Sequence, residues 1–218
     1  MHAFRYVVLS ILLSSSIRVQ AQDPLRFDQE VKKLIAGDTA ITRKKLILFT
    51  GSSSIRFWGD IKKYYPQYNV VNRGFGGSQM SDLVYYTDKL ILPYNPERIF
   101  IYEGDNDLAA GKKPEEILAG ADSILKSIRT HLSKKVPVFF ISPKPSLARW
   151  KLKDQYILYN KILKDWIGYQ KNVTYIDMWT PLLNEEGYPK KGIFIDDGLH
   201  LNSQGYLIWA RVIEPYLR

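Results

Sequence analysis

The sequence has no cysteine among its 218 residues and only three histidines. Without cysteine the chain cannot form disulfides, iron–sulfur clusters or thiolate zinc sites, and it cannot use a cysteine nucleophile. A zinc hydrolase of the two-histidine type is also excluded, because the motif H-E-x-x-H does not occur. We therefore predict that the chain uses no metal and no cofactor.

Long biased tracts are absent as well. The composition, with 45% hydrophobic and 24% charged residues, is ordinary for a globular domain, which excludes disorder, collagen and coiled coil for the chain as a whole. The net charge of +9 comes from scattered basic residues, of which the largest groups are pairs such as Lys32-Lys33 and Lys134-Lys135. Because there is no basic stripe with interleaved aromatic residues, we predict no nucleic-acid partner.

Residues 1–21 have the features of a secretory signal peptide: a basic start, an apolar run over 6–13 and a small-residue cleavage site at 19–21. A membrane anchor is the alternative, but serines and Arg18 interrupt the apolar run well short of the roughly 18–20 residues that a span needs. We predict a secreted or periplasmic protein without a stable membrane anchor, in which residues 22–218 form a single domain.

Short apolar runs alternate with longer helical patterns along the rest of the chain. The runs are rich in β-branched and aromatic residues and lie at 46–50, 68–71, 98–102, 136–141 and 173–177. Clear helical spacing covers 114–132, 154–169 and 203–216, and weaker helical patterns cover 55–65 and 78–92. Continuous apolar strands that alternate with helices are typical of a parallel sheet covered on both faces. We therefore predict an α/β fold with a five-stranded parallel sheet.

In an open parallel sheet the functional site lies beyond the carboxyl ends of the strands. Polar loops that contain glycine follow the first three predicted strands and precede the last helix, at 51–55, 72–78, 103–107 and 196–200. His200 is the histidine of these loops, whereas His131 ends a helix, where a cationic cap is its expected structural role.

A catalytic arrangement can be built from these loops. Asp197 lies three residues before His200 in a turn with glycine, so its carboxylate can reach Nδ1 of the ring and leave Nε2 as a general base. The hydroxyl that this base would activate is assigned to Ser53, at a strand-to-helix junction.

Each polar residue also has a structural alternative. A serine at 52–54 can cap the following helix, Gly76 and Gly77 can form a tight turn, Asn106 can form an Asx turn, and Asp197 with His200 can simply close a turn. The occurrence of all these features at one sheet edge favours a shared catalytic role.

The four loops resemble, in order, the sequence blocks of SGNH hydrolases, also called GDSL-type esterases and lipases, and within that family the subgroup similar to platelet-activating-factor acetylhydrolase. The matching segments are Gly51-Ser52-Ser53, Asn72 to Gly77, Gly104 to Asp107 and Asp197 to His200. The resemblance implies a three-layer α/β/α sandwich of flavodoxin-like (SGNH hydrolase) topology.

The resemblance also implies a role for individual residues. The implied catalytic triad is Ser53, Asp197 and His200, and the implied oxyanion hole consists of Ser53, Gly77 and Asn106. The family often has aspartate where this chain has Ser52, so Ser52 and Ser54 remain alternatives to Ser53 as the nucleophile.

The implied function is that of a secreted serine esterase that hydrolyses short, acetyl-type esters on carbohydrates or other small soluble molecules. A non-catalytic carbohydrate-binding protein on the same fold and a lysophospholipase-type acyl hydrolase are the alternatives. Nucleotide binding is disfavoured, because Gln79 stands where the motif G-x-G-x-x-G needs its last glycine. Residues 143–153 either line the acyl or alcohol pocket or form a plain strand-to-helix connection.

Overall fold

A sheet of five parallel strands runs through the molecule, in the order β2-β1-β3-β4-β5. The computed structural model describes residues 23–38 and 41–218, so the predicted signal peptide lies outside the described residues. The strands are β1 (Leu46–Gly51), β2 (Asn69–Gly74), β3 (Arg98–Tyr102), β4 (Val138–Ile141) and β5 (Val173–Ile176). All five coincide with predicted strands to within a few residues, and the predicted α/β fold with a parallel sheet is confirmed.

Helices pack on both faces of this sheet. They are α1 (Asp28–Ile35), α2 (Ser53–Arg56), α3 (Ile61–Tyr64), α4 (Met80–Leu90), α5 (Asp105–Ala109), α6 (Pro114–His131), α7 (Lys153–Ile167) and α8 (Ser203–Ile213). None of the helices in the described part of the chain is both long and apolar enough to cross a membrane.

Alternating residues of the strands divide the core into two layers. In β1, Leu46 and Leu48 face the layer built with α1, α4, α6 and α7, while Ile47 and Phe49 face the layer built with α2, α3 and α8. On the second face the rings of Phe49, Phe100 and Phe139 stack across three neighbouring strands, with centroids 4.5 Å apart at each step. Every residue of β1 and β4 is buried, as continuous apolar strands in a covered parallel sheet should be.

The predicted helix at 55–65 was wrong as a continuous element, because the chain forms the two short helices α2 and α3 with a break around Gly59. The cause lies in Asn72 of β2. Its side-chain amide donates to the carbonyl oxygens of Ile55 and Trp58, at 2.6 and 3.0 Å, so these groups are satisfied without a continued helix. The helices α1 and α5 were not predicted.

The strands stop abruptly where the polar loops begin. Gly51, the last residue of β1, has a φ of +127°, and a Cβ at this position would overlap the carbonyl oxygen of Tyr102 on β3. Only glycine combines this backbone conformation with such a close approach. The chain can therefore turn sharply out of the sheet just before Ser52 and Ser53.

Candidate active site

The polar loops predicted from the sequence meet at the carboxyl edge of the sheet. The loop after β2 is tied to the end of β1 by the bond from the Phe75 amide to the Gly51 carbonyl, at 2.9 Å. The amide of Ser52 donates to the carbonyl of Tyr102, at 3.0 Å, and so joins the loop after β1 to the end of β3. These backbone bonds fix the positions from which the site side chains project.

Ser53, His200 and Asp197 form a continuous chain of hydrogen bonds. The Ser53 Oγ lies 2.9 Å from Nε2 of His200, and Nδ1 of the same ring lies 2.5 Å from Oδ2 of Asp197. The structure thus brings these predicted residues together in the predicted order. Such a chain can hold one imidazole tautomer and withdraw a proton from the hydroxyl.

The three adjacent serines differ in their surroundings. Ser52 and Ser54 are buried, with exposed fractions of 1% and 2%, whereas Ser53 is partly exposed and begins α2. Ser52 stands at the N-cap of α2, but its side chain makes no capping hydrogen bond to the helix. The predicted alternative of helix capping therefore does not explain Ser52. Ser53 is the member of the group whose hydroxyl meets the imidazole.

The turn that carries His200 is shaped by Asp197 itself. Oδ1 of Asp197 accepts hydrogen bonds from the backbone amides of Leu199 and His200, at 2.8 and 2.9 Å, while Oδ2 meets the imidazole. The predicted turn and the predicted carboxylate–imidazole pair therefore coexist. Partial burial acts to raise the pKa of Asp197, but the hydrogen bonds from His200 and Leu199 outweigh it and lower this pKa to about 2.

The last helix anchors both parts of this hydrogen-bond chain. Asn202, two residues beyond His200, caps α8 by accepting from the amides of Gln204 and Gly205, at 2.9 and 3.2 Å. Four residues further on, the hydroxyl of Tyr206 donates to the carbonyl oxygen of Ser54 in α2, at 2.8 Å. The helix α8 thus holds the loop of the imidazole and the helix of the serine in one unit.

Asn106 and Gly77, predicted for an oxyanion hole, lie next to each other. A Cβ at Gly77 would lie 3.8 Å from Nδ2 of Asn106. The amide of Asn106 donates to the carbonyl oxygen of Ser78, at 2.9 Å, and its Oδ1 accepts from Nη2 of Arg149, also at 2.9 Å. The side chain of Asn106 is thus held by partners distant in sequence rather than by a local Asx turn.

Behind Asn106 lies a buried group of charged residues that the sequence analysis missed. We call it the Asp105 cluster: Asp105, Lys144 and Arg149, with the tyrosines Tyr102 and Tyr156. Burial acts to raise the pKa of Asp105, but the charges of Lys144 and Arg149 outweigh it and lower this pKa to about 2. No local pattern indicated this cluster, because Lys144 and Arg149 lie in the loop after β4 and a charged residue in a loop is expected to be exposed.

The Asp105 cluster also touches the loop of His200. Nζ of Lys144 donates to the carbonyl oxygen of Leu199, at 2.7 Å, and lies 3.6 Å from Oδ2 of Asp105. The side chain of Lys144 is fully buried, and this burial lowers the pKa of Lys144 despite the opposing charge of Asp105. The segment 143–153 is thus more than a connection, because it contacts the residues around both Asn106 and His200.

A metal site was not expected from the sequence. Among residues 23–38 and 41–218, no group of three or more histidine, cysteine, aspartate or glutamate side chains is arranged to hold a metal ion.

The sequence matches the GDSL-like Lipase/Acylhydrolase family over residues 49–208, a span that includes all four site loops. The chain belongs to this family. This GDSL-like protein is therefore a carboxylic ester hydrolase, and a purely carbohydrate-binding protein is no longer the alternative. A comparison with curated proteins gave no match.

Solved structures share the fold of this GDSL-like chain at low sequence identity. A Streptococcus pneumonia protein named provisionally after platelet activating factor has a TM-score of 0.77 and 20% identity, over 88% of this chain and 92% of that one. A GDSL-like lipase from Bacteroides thetaiotaomicron has a TM-score of 0.73 and 16% identity, over 89% and 98%. A catalytic mutant of an acetylxylan esterase from Geobacillus stearothermophilus has a TM-score of 0.65 and 15% identity, over 79% and 94%.

Proposed function

We propose that this ester hydrolase is a serine esterase in which Ser53 is the nucleophile, His200 the general base and Asp197 the residue that orients the base. The observation that carries the proposal is the hydrogen-bond chain from the Ser53 hydroxyl through both nitrogens of His200 to Asp197. In this mechanism Nε2 takes the hydroxyl proton while Oγ attacks the ester carbonyl carbon. The imidazolium then gives the proton to the leaving alcohol, and water releases the acyl group in a second, equivalent round.

The tetrahedral intermediate carries a negative oxygen that needs hydrogen-bond donors. We assign this task to the backbone amides of Ser53 and Gly77 and to Nδ2 of Asn106. The assignment is supported by the proximity of Asn106 to Gly77 and by the position of Ser53 at the start of a helix. Donors of this kind stabilise charge that develops only in the transition state.

The test of the nucleophile is a set of serine variants assayed with p-nitrophenyl acetate. Ser53→Ala removes the hydroxyl that contacts His200, so we expect kcat to fall by on the order of 10⁴–10⁶-fold with an unchanged melting temperature. Ser52→Ala is the matched control, because it removes a neighbouring hydroxyl and should retain turnover. Near-normal activity in Ser53→Ala, or its loss in Ser52→Ala alone, would refute the assignment.

For the substrate we propose acetyl-type esters of carbohydrates. Three aromatic side chains form a group that includes Trp150, the residue after Arg149: Trp150 stacks on Trp179 with centroids 5.9 Å apart and lies 5.5 Å from the ring of Tyr188. Tyr188 is 55% exposed, and both tryptophans are partly exposed, so they can pack against the CH groups of a sugar ring. The fold shared with an acetylxylan esterase adds support.

Longer acyl chains are the second candidate, because apolar side chains surround the His200 loop. The ring of Phe57 contacts that of His200 edge to face at 4.7 Å and is 51% exposed, and Leu147 and Ile195 are 47% and 48% exposed. A series of nitrophenyl esters from acetyl to decanoyl separates the two candidates. We expect kcat/KM to be highest for the acetyl ester. We also expect the enzyme to be active on acetylated xylo-oligosaccharides. A maximum of kcat/KM at longer acyl chains would favour a lysophospholipase-type enzyme.

We also propose that the protein is secreted or periplasmic, on the basis of the pattern in residues 1–21. The test is N-terminal sequencing of the protein recovered from outside the cytoplasm of the producing cell. A mature chain that begins at Gln22 is the expected result, and a chain retained in the cytoplasm with an intact Met1 would contradict it.

A further inference from the structure

We propose that Arg149 is a positioning residue of the esterase, which orients the Asn106 amide so that its N–H group, rather than its oxygen, faces the substrate oxyanion. The proposal rests on the proposed function and adds to it a residue outside the four loops that resemble the SGNH sequence blocks. It follows from the contacts of three side chains: Asn106, Arg149 and Asp105.

A side-chain amide has an acceptor oxygen at one end and two donor hydrogens at the other. The two orientations have nearly the same shape, but for an oxyanion they are opposites: one donates a hydrogen bond and the other presents a repelling oxygen. A site that uses asparagine for this purpose must therefore fix the orientation of the amide.

Arg149 fixes it because a guanidinium can donate hydrogen bonds but cannot accept them. Nη2 of Arg149 lies 2.9 Å from Oδ1 of Asn106, so the flipped amide would place two donors against each other. On the other side, one Nδ2 hydrogen is bonded to the carbonyl oxygen of Ser78, at 2.9 Å. With the oxygen and one hydrogen held, the second Nδ2 hydrogen is the group left for the substrate.

The guanidinium charge strengthens the same donor. A hydrogen bond from a cation to the amide oxygen polarises the amide, which makes its N–H groups better donors. The charge also lies one side chain away from the position where negative charge develops during the reaction. Both effects act more on the transition state than on the neutral ester, and interactions of that kind raise kcat rather than lower KM.

Asp105 keeps Arg149 in this position. Nη1 of Arg149 donates to both the carboxylate Oδ1 of Asp105, at 2.5 Å, and its backbone oxygen, at 3.0 Å. The carboxylate also accepts from the hydroxyl of Tyr102, at 2.8 Å, and from that of Tyr156. Because Asp105 directly precedes Asn106 in the chain, the fork of the guanidinium spans two consecutive residues and sets one relative to the other.

These contacts argue against a direct role of Arg149 in binding an acidic substrate. Nη1 and Nη2 are already engaged within the protein, and the side chain is only 19% exposed. Loss of a substrate-binding arginine would raise KM for charged esters. Loss of a positioning residue instead lowers kcat for a neutral ester.

The experiment is a double-mutant cycle between Arg149→Met and Asn106→Ala, with kcat and KM measured separately on p-nitrophenyl acetate. We expect Arg149→Met to lower kcat by about 10- to 100-fold, below the ~10²–10³-fold expected for loss of the donor itself, while KM changes by less than about threefold. In the Asn106→Ala background, Arg149→Met should cost less than about threefold more, because its effect passes through Asn106.

Arg129→Met is the matched control. Arg129 is also partly buried and donates to the carbonyl oxygens of Val136 and Asn172, at 2.7 and 3.0 Å, but it lies at the amino edge of the sheet. We expect this control to lower the melting temperature and to leave kcat within about twofold of the wild-type value. A comparable kcat loss in the control would show that Arg149→Met acts only through stability and would overturn the proposal.

Further outcomes would also overturn it: equal kcat losses in the wild-type and Asn106→Ala backgrounds, or a change confined to KM. If Arg149→Met does not fold, Arg149→Lys decides through the same cycle, because one ammonium cannot reproduce the fork between Asp105 and Asn106. We expect Arg149→Lys to lower kcat in the wild-type background but not in the Asn106→Ala background. An unchanged kcat in the wild-type background refutes the proposal. Ser53→Ala keeps the tests separate, since an active Ser53→Ala enzyme refutes the proposed function, and an inactive one with an additive cycle refutes only the positioning role.

Discussion

Two aspartates at the same sheet edge, Asp197 and Asp105, have the same lowered pKa of about 2, but different kinds of partner lower it. The side chain of Asp197 is 42% exposed, and partners within three residues of it hold its charge. That of Asp105 is 5% exposed, and its charge is held by Lys144 and Arg149, about forty residues away along the chain. A local turn is enough for an exposed carboxylate, whereas a buried one needs cations from other elements.

This contrast divides the site into two parts with different demands on the fold. The imidazole side depends on a few consecutive residues, of which Asp197 both shapes the turn and binds the ring. The proposed oxyanion side draws on three loops, because the side chain of Asn106 is held by the carbonyl oxygen of Ser78 and the guanidinium of Arg149. Substitutions should therefore affect catalysis on the first side and both catalysis and stability on the second.

The largest expected effect is on turnover in Asp197→Asn. An amide at this position favours the wrong imidazole tautomer, so we expect kcat to fall by about 10³–10⁴-fold. Because the side chain is exposed, the free energy of unfolding should change by less than about 1 kcal/mol. Steady-state kinetics and urea unfolding of the same preparation test both statements, and a kcat within tenfold of the wild-type value would contradict the role of Asp197.

The next effect is on stability in Asp105→Ala. This substitution leaves Lys144 and Arg149 buried without their carboxylate, so we expect the free energy of unfolding to fall by about 3–5 kcal/mol. Asp197→Ala is the comparison variant and should cost only about 1–2 kcal/mol, because it removes the local hydrogen bonds of a partly exposed side chain. Equal losses in the two variants, measured by chemical denaturation at neutral pH, would show that the two aspartates do not differ as described.

The smallest effect is on the pH dependence of stability. A carboxyl group whose pKa falls on folding from 3.8 to about 2 stabilises the folded state above its unfolded pKa, and this stabilisation disappears as pH falls through the folded pKa. We therefore expect the free energy of unfolding to decrease between about pH 4 and pH 2. The decrease should be shallower in Asp105→Asn than in the wild-type protein, and denaturation curves with parallel pH dependence would rule out Asp105 as a contributor.

Much of the fold followed from short-range patterns in the sequence. The strands were predictable because buried parallel strands need continuous apolar runs, and Ser53, Asp197 and His200 were predictable because they follow or precede such elements within a few residues. Their juxtaposition at the sheet edge agrees with that prediction, while their catalytic roles stay predictions.

The parts that escaped prediction depend on contacts between distant residues. Asn72, which interrupts the predicted helix at 55–65, lies in β2. No pattern within residues 55–65 indicates where the helix breaks. The Asp105 cluster joins residues from the ends of β3 and β4, so the burial of Lys144 becomes visible only when the sheet is assembled. A residue's partner across the sheet is a property of the tertiary structure and is not encoded by spacing.

The anchoring of the site by α8 has a consequence for the synthesis of the enzyme. The hydroxyl and the imidazole that meet across 2.9 Å are 147 positions apart, and the helix that fixes both is formed by Ser203–Ile213. A nascent chain that ends before α8 can already contain both Ser53 and His200, but it lacks the helix that holds their two segments together. The hydrogen-bond chain of the proposed triad therefore forms only after α8 has been made and has packed against α2.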